Sequence, residues 1–393
     1  MTRERAVSAD TAFEGEEPFR RIVGRAEGKF PGPTLVCIAG LHGNEPAGIE
    51  ALRRVFDSLA ETNSSLKGVL IGVAGNLKAL ERRRRFIDAD LNRRWHIRHL
   101  QSIEQTLDSP QECAEDMERR DLVAELETIF EAASSVFFLD LHTTSGKGVP
   151  FAAIGDTLSN RQFAKPFPVP IILGLEEQLD GTISEYLTSH GHVALTLEAG
   201  QHDSPVTVDN AEAAIWIALA SAGLLDEKDV RVDRSLAILA RNASAVPRFL
   251  EVRYRHAISS VDRFEMKPGF RSFDAIRPGQ LLARDRNGEI RSRWNGRILM
   301  PLYQELGDDG FFVIREFKSI WLMVSALLRY LRADAVAHWL PGVSRHPTRS
   351  NTLIVDRRIA RWYSLELLHL IGYRRKRAIG KALLVSRRRH TGL

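Results

Sequence analysis

One short segment, Ala39–Glu45 (AGLHGNE), constrains the fold of this chain more than any other. It directly follows an apolar run, Thr34–Ile38, that has the composition of a buried strand, and apolar residues at helical spacing follow it. The glycines allow a tight turn, so that His42 and Glu45 can face one point. Imidazole nitrogens and carboxylate oxygens are good zinc ligands. The segment therefore predicts part of a metal site at the end of a strand.

Two later segments repeat this arrangement. His142 follows an apolar run that starts at Ser135, and Glu198 follows another that starts at His192. Predicted strands and helices alternate between about residues 20 and 224, which is typical of an α/β protein with a mostly parallel sheet. Functional sites of such sheets gather at the carboxyl ends of the strands. We therefore expect His42, His142 and Glu198 to share one site.

These residues have the composition of a catalytic zinc centre. His42, Glu45 and His142 would supply three protein ligands and leave a fourth position open for water. Glu198 would take a proton from that water and later give a proton to a leaving amine. Asp140, just before His142, is a candidate for holding that histidine in place. The cofactor prediction is one Zn²⁺ per chain.

A second polar segment, Arg85–Arg93 (RFIDADLNR), carries groups suited to a substrate. Arginine forks bind carboxylates through two parallel hydrogen bonds, and Asn92 adds a donor and an acceptor. If this loop faces the metal, the substrate carries a carboxylate. Arg85 could instead polarise the scissile carbonyl and stabilise its oxyanion. We expect Asp88 and Asp90 to hold these arginines or a ligand histidine.

Four motifs together resemble the succinylglutamate desuccinylase/aspartoacylase family. They occur in the family's order, as Gly40–Glu45, Arg85–Arg93, Asp140–Thr144 and Leu197–Gly200. The resemblance implies a zinc-carboxypeptidase-like α/β domain, a β-rich domain after it, and hydrolysis of N-acyl amino acids. It also implies that His42, Glu45 and His142 bind zinc. It implies that Glu198 is the general base and acid.

The same resemblance implies contacts to the substrate. It places Arg85 near the scissile carbonyl, and Asn92 and Arg93 on a substrate carboxylate. Two features depart from aspartoacylase. Its further arginine before the catalytic glutamate has no counterpart in residues 185–190, and the region of its substrate-gripping tyrosine reads Gly310–Phe312. N-acetylaspartate is therefore not a safe expectation for the substrate.

The sequence pattern predicts three parts. Residues 1–228 form the α/β catalytic domain, 229–317 a β-rich capping domain in which helical periodicity fades, and 318–393 a helical, basic extension. The apolar segments 320–331 and 362–371 of the extension are too short to span a membrane. We expect them to pack as helices on the body or on a second subunit. The alternative is a basic amphipathic surface that touches anionic lipid.

The composition is ordinary for a soluble globular protein, and the sequence does not favour a nucleic-acid-binding protein. A net charge of +5 is modest for 393 residues, and no nucleic-acid recognition motif is present. The two cysteines, Cys37 and Cys113, do not suggest a disulfide framework. The N-terminus is charged and lacks an apolar signal core. We therefore expect a cytoplasmic protein, with homo-oligomerisation left open.

The functional prediction is a zinc-dependent hydrolase that cleaves the amide bond of a small, anionic N-acyl amino acid bearing a carboxylate. The first alternative is a metallocarboxypeptidase acting on a peptide or cell-wall fragment. The second is a non-catalytic homologue that binds a surface through its C-terminal tail, and an ester substrate is a third. A β-domain that caps the metal would admit only small substrates, whereas an open groove would admit peptides.

Overall fold

The computed structural model describes residues 19–61, 66–95, 113–243, 245–304, 306–356, 358–360, 362–379 and 382–387. Strands and helices alternate in its first part, as the sequence predicts. The strands are β1 (Ile22–Glu27), β2 (Phe30–Ala39), β3 (Lys67–Ala74), β4 (Val136–Thr144), β5 (Phe151–Ile154), β6 (Ile171–Leu173) and β7 (Val193–Gln201). The helices are α1 (Ala47–Glu61), α2 (Leu77–Glu81), α3 (Ala114–Ala132), α4 (Leu158–Ala164), α5 (Ile183–Ser189) and α6 (Pro205–Ser221).

The centre of the sheet is parallel. β2 pairs with β3 on one side and with β4 on the other, and β4 pairs with β7. Ala39 at the end of β2 lies opposite Leu141, and His142 lies opposite Glu198. β1 and β5 join antiparallel to β3 and β7. The predicted mixed, mostly parallel sheet is confirmed, and its topology brings the carboxyl ends of β2, β4 and β7 side by side.

Helices cover both faces of this sheet, and β2 shows why. Leu35 and Cys37 point into one buried cluster with apolar residues of α1 and α6, whereas Val36 and Ile38 point into another with residues of α3 and α5. Successive side chains of a strand face opposite sides of a sheet. A strand that is apolar at every position is therefore stable only between two helical layers.

The β-rich region extends the same sheet. Its strands are β8 (Phe249–Ala257), β9 (Glu265–Met266), β10 (Ala275–Ile276), β11 (Leu281–Asp285), β12 (Gly288–Arg291), β13 (Gly296–Leu299) and β14 (Asp309–Glu316). β8 pairs with β6 of the first part, and β14, β13 and β10 add to β8 in that order, so the sheet has eleven strands. A separate sheet consists of β9, β11 and β12. The smaller β-rich region is thus present. The domain boundaries at 228 and 317 stay predictions.

One expectation for this region is wrong. Residues 230–242, where the sequence pattern suggested that helices end, form helix α7 (Val230–Asn242). Val232 and Leu239 are buried on one face of this helix, and Leu236 packs against the main core. Charged residues are frequent between the apolar positions of this segment, so its helical periodicity is weak in the sequence.

The C-terminal part is also more varied than predicted. It contains helices α8 (Ser319–Tyr330) and α9 (Trp362–Leu370), but also a four-stranded antiparallel sheet of β15 (Val343–Arg345), β16 (Thr352–Asp356), β17 (Tyr373–Ile379) and β18 (Ala382–Arg387). The prediction of a helical extension is therefore corrected to a small α+β unit. Among the described residues, no helix combines the length and apolar character needed to cross a membrane.

Candidate functional site: a His-Glu-His group at the sheet edge

Glycines shape the turn in which the first two predicted ligands lie. Gly40, just after β2, has a φ of +68°, a conformation that other residues rarely adopt. Gly43 passes so close to α2 that an added Cβ would lie 2.0 Å from the backbone of that helix. The turn holds His42 and Glu45 inside the protein, where their exposed fractions are 4% and 2%.

The three predicted ligands converge on one point. The Glu45 carboxylate lies between two imidazoles, with Oε1 2.9 Å from Nδ1 of His42 and Oε2 3.1 Å from Nδ1 of His142. One ligand atom from each residue lies within 4.8 Å of the others, and all three side chains are buried. The backbone N–H of Thr143 also donates to Oε2 of Glu45, at 2.9 Å, and fixes the carboxylate.

Two aspartates hold the outer nitrogens of these histidines. Nε2 of His42 lies 3.1 Å from Oδ1 of Asp90, and Nε2 of His142 lies 3.1 Å from Oδ2 of Asp140. When each Nε2 donates its proton to an aspartate, each Nδ1 presents a lone pair to Glu45. Three electron-pair donors then face one another in a buried space, which a cation stabilises. Such carboxylate–histidine pairs commonly support zinc ligands, so these residues fit Zn²⁺.

The charges in this group favour the ionised carboxylate. Burial on its own raises the pKa of Glu45, but His42 and His142 lower that pKa well below its ordinary value. At His142, burial on its own lowers the pKa of the imidazole. Asp140 and Glu45 have the larger effect and raise this pKa well above its ordinary value. Glu45 is therefore available as an anionic ligand, and the aspartate makes the imidazole of His142 more basic.

Glu198 lies on the strand next to His142 and directly opposite it in the register. Its side chain is buried, and its Oε2 has no hydrogen-bond partner among the described residues. Burial raises the pKa of Glu198 to about 8, a rise that Glu45 and Asp140 reinforce and that His142 and Arg85 oppose. A nearby dication would lower this pKa. A buried carboxyl group with one unpaired oxygen is suited to accepting and returning a proton.

Arg85 lies beside the His-Glu-His group. Its Nη2 donates to Oδ2 of Asp90 at 2.9 Å, and its Nη1 lies 3.6 Å from Oε1 of Glu45. Burial on its own would lower the pKa of Arg85, but Asp90 and Glu45 raise it, so the guanidinium stays charged. Its Nε is buried and has no partner in the described part of the chain. Arg85 also lines the adjoining cavity.

The two predicted substrate residues differ in their contacts. Asn92 is buried, with Nδ2 3.3 Å from Nε2 of His142 and with Oδ1 accepting the backbone N–H of Ile183 at 2.9 Å. Both ends of this amide therefore contact the protein itself. Arg93 lines the cavity, and its Nη2 donates to Oδ2 of Asp309 at 3.1 Å.

The cavity is formed by both parts of the large sheet. Thr143, Thr144 and His202 line it on the α/β side, and residues 300–302 and 307–309 line it on the β-rich side. The β-rich region therefore lines one side of this cavity, and its role as a cap stays a prediction.

Sequence reasoning missed two contributors. Asp309 binds both Arg93 and Arg255, and His202 has its Nδ1 2.6 Å from Oγ1 of Thr143. The sequence holds no spacing signal for Asp309, because it meets Arg93 only through the folded sheet. Another expectation is not met in the part of the chain that the structure describes: there, Asp88 accepts the N–H of Ala114 at the start of α3 and contacts neither an arginine nor a ligand histidine.

The fold and the site together define a class of protein. It is an α/β protein whose sheet carries a candidate metal-binding group at the carboxyl ends of its strands. Residues 31–220 match the model of the succinylglutamate desuccinylase/aspartoacylase catalytic domain. Over this range the chain has the catalytic domain of the succinylglutamate desuccinylase/aspartoacylase family. All seven predicted site residues fall within the matched range.

Individual relatives agree with this assignment. The succinylglutamate desuccinylase of Ectopseudomonas mendocina is 27% identical over 292 residues, which cover 69% of this chain and 79% of that protein. The crystal structure of succinylglutamate desuccinylase from Vibrio cholerae superposes with a TM-score of 0.52 at 17% identity and covers 77% of this chain and 96% of the other. The product-bound structure of the ectoine utilization protein from Ruegeria pomeroyi superposes with a TM-score of 0.52 at 22% identity. It covers 74% of this chain and 86% of the other. The structural likenesses show a shared fold.

Proposed function

We propose that this chain is a zinc-dependent hydrolase that cleaves the amide bond of a small N-acyl amino acid bearing a carboxylate. The observation that carries the proposal is the convergence of His42, Glu45 and His142 next to Glu198, a buried carboxyl group with an unpaired oxygen. One Zn²⁺ per chain would bind the first three. When bound there, it would acidify a water molecule and polarise the acyl carbonyl.

The remaining chemistry comes from the protein's own side chains. Glu198 accepts a proton from the attacking water as the new C–O bond forms, and it returns a proton to the amide nitrogen as the C–N bond breaks. Arg85 presents a charged donor to the cavity beside Glu45 and stabilises the negative oxygen of the tetrahedral intermediate. The products are a free carboxylic acid and an amine.

Arg93 and Asn92 are the proposed substrate-binding residues. Arg93 faces the cavity with a guanidinium that already holds one carboxylate, that of Asp309, so a substrate carboxylate would share or displace this partner. The amide nitrogen of Asn92 lies 3.3 Å from Nε2 of His142, so a substrate group bound by Asn92 would lie close to this ligand. The names of the relatives suggest N-succinylglutamate as the first substrate to test.

The side of the cavity formed by residues 300–302, 304 and 307–309 favours a small substrate over a peptide, because it leaves less room than an open groove. This supports the deacylase over the carboxypeptidase alternative. The non-catalytic alternative would be favoured by a Glu198 turned away from the His-Glu-His group, but Glu198 is buried opposite His142. A cytoplasmic location stays a prediction.

The test is Glu198→Gln in the zinc-loaded protein. This change keeps the shape of the side chain but removes its basicity, so zinc content should stay unchanged and kcat should fall by about 10²–10⁴-fold. Release of free amine from a panel of N-acyl amino acids and short peptides would be measured for wild type and variant. Glu212→Gln, a partly exposed glutamate on α6, is the matched control and should keep full activity. Full activity of Glu198→Gln would remove the proposed base.

A further inference from the structure

The side of helix α8 that packs on the protein carries Ser325 and Arg329, which are buried, beside Leu322 and Leu328. The hydroxyl of Ser325 donates to the carbonyl oxygen of Leu370 and accepts from Arg161 at 3.1 Å. Arg329 pairs with Asp156 at 2.8 Å, and both side chains are only 1% exposed. The side of this helix that faces the protein is thus fixed by buried hydrogen bonds and an ion pair.

The opposite side of α8 is apolar and exposed. We define the α8 apolar face as seven residues: Ile320, Trp321, Met323, Leu327, Tyr330, Leu331 and Trp339, the last from the 3₁₀ helix Ala333–Trp339 that follows. Tyr330 is 83% exposed and Trp339 is 75% exposed. Steps of three and four residues place Ile320, Met323 and Leu327 on one stripe. The helix therefore presents apolar side chains to solvent as well as to the protein, which an ordinary surface helix does not do.

The exposed charges next to this face are mostly positive, with Glu316 before α8 as an exception. Lys318 precedes α8 and Arg332 follows it, and both are exposed. Between residues 318 and 349 the sequence contains a single acidic residue, Asp334, and its carboxylate is paired with Arg387 at 2.8 Å. Exposed cations thus flank an apolar, aromatic stripe at both ends.

We propose that the α8 apolar face docks on an anionic membrane surface. Tryptophan and tyrosine side chains prefer the boundary between headgroups and acyl chains, where one edge of the ring is apolar and the other is wet. Lys318 and Arg332 would lie at the level of the lipid phosphates, as in helices that lie in the plane of a membrane. The inward ion pair of Arg329 with Asp156 would keep the body of the protein attached above the lipid.

A second copy of the chain fits this surface less well. Antiparallel pairing of two α8 helices would bring the cation at the start of each helix beside the cation at the end of the other. A closed dimer uses the same patch on both subunits, so this repulsion would occur twice. An anionic lipid surface instead complements both cations at once.

The test is co-sedimentation of the full chain with sucrose-loaded vesicles of phosphatidylcholine, with and without phosphatidylglycerol. Wild type should sediment only with the anionic vesicles, and added salt should weaken binding. Lys318→Gln with Arg332→Gln should lower the partition coefficient about thirtyfold, and Leu327→Ser about tenfold. Val230→Ser with Arg234→Gln, at exposed positions of α7, is the matched control and should bind as wild type does.

Three results would overturn this proposal. Wild type could fail to sediment with anionic vesicles, or bind neutral vesicles equally well. Leu327→Ser could bind as tightly as the control; Trp339→Ala, at another exposed position, checks this independently. Analytical ultracentrifugation could show a wild-type dimer that Leu327→Ser converts to a monomer, which would assign the face to a second copy instead.

Discussion

Asp156→Asn should destabilise the protein strongly, because Asp156 holds the C-terminal α+β unit on the α/β sheet. Its carboxylate is 1% exposed and meets three guanidiniums, those of Arg161, Arg329 and Arg374. Asparagine keeps the shape but removes the charge, and two of the arginines would remain buried. Loss of one partner of a buried ion pair costs about 3–5 kcal/mol. Arg374 keeps a second partner, Glu251 at 3.3 Å, so the expected loss of stability lies at the lower end of this range.

The stability difference between wild type and Asp156→Asn should depend on pH. Burial alone would raise the pKa of Asp156, but Arg161, Arg329 and Arg374 lower it well below its ordinary value. A carboxyl group with a lowered folded-state pKa contributes its full stability above its unfolded pKa, about 3.9, and loses it as the pH falls through the folded pKa. The advantage of wild type over Asp156→Asn should therefore stay constant from neutral pH to about pH 4 and shrink below it.

Urea unfolding of wild type and variant, followed by circular dichroism at several pH values, would measure this difference. Asp57→Asn, at an exposed position of α1, is the control and should change stability by no more than about 0.5 kcal/mol. A loss of under about 1 kcal/mol for Asp156→Asn would refute the view that this carboxylate is a buried partner of the three arginines. A difference that grows toward acid pH would refute the sign of the linkage.

Three further changes test the site. Asp140→Asn removes the carboxylate beside Nε2 of His142, so zinc affinity, measured by competition with a chelator, should fall about 10–100-fold; unchanged affinity would contradict that role. Gly43→Ala places a Cβ 2.0 Å from the backbone of α2 and should cost about 1–3 kcal/mol in urea unfolding; equal stability would mean that the turn adjusts freely. Asp309→Asn releases Arg93 and should lower KM for a carboxylate substrate about tenfold, equivalent to ~1.4 kcal/mol; a raised KM would make Asp309 a positioning residue.

The sequence predicts the centre of the site well, because the site depends on local motifs and on one topological rule. His42 and Glu45 are close in sequence, and parallel strands bring the end of β4 beside the end of β2. Glu198 follows from the same rule applied to β7. Buried strands also read clearly, since each is apolar at nearly every position.

The parts that sequence reasoning missed depend on partners distant in the chain. β17 is rich in arginine, a poor strand signal, and it is specified by its pairing with β18. Ser325 and Arg329 look like interruptions of an apolar helix until Asp156 and Leu370 supply their buried partners. Such pairs leave no periodic pattern, so only the folded structure shows which side of α8 is buried.

The central claim is that His42, Glu45 and His142 hold one ion. Zinc content by inductively coupled plasma mass spectrometry, after zinc loading and desalting, tests this most directly. Wild type should retain about one zinc per chain and His42→Ala almost none. A wild type that retains no zinc, or a His42→Ala variant that retains as much as wild type, would contradict the account.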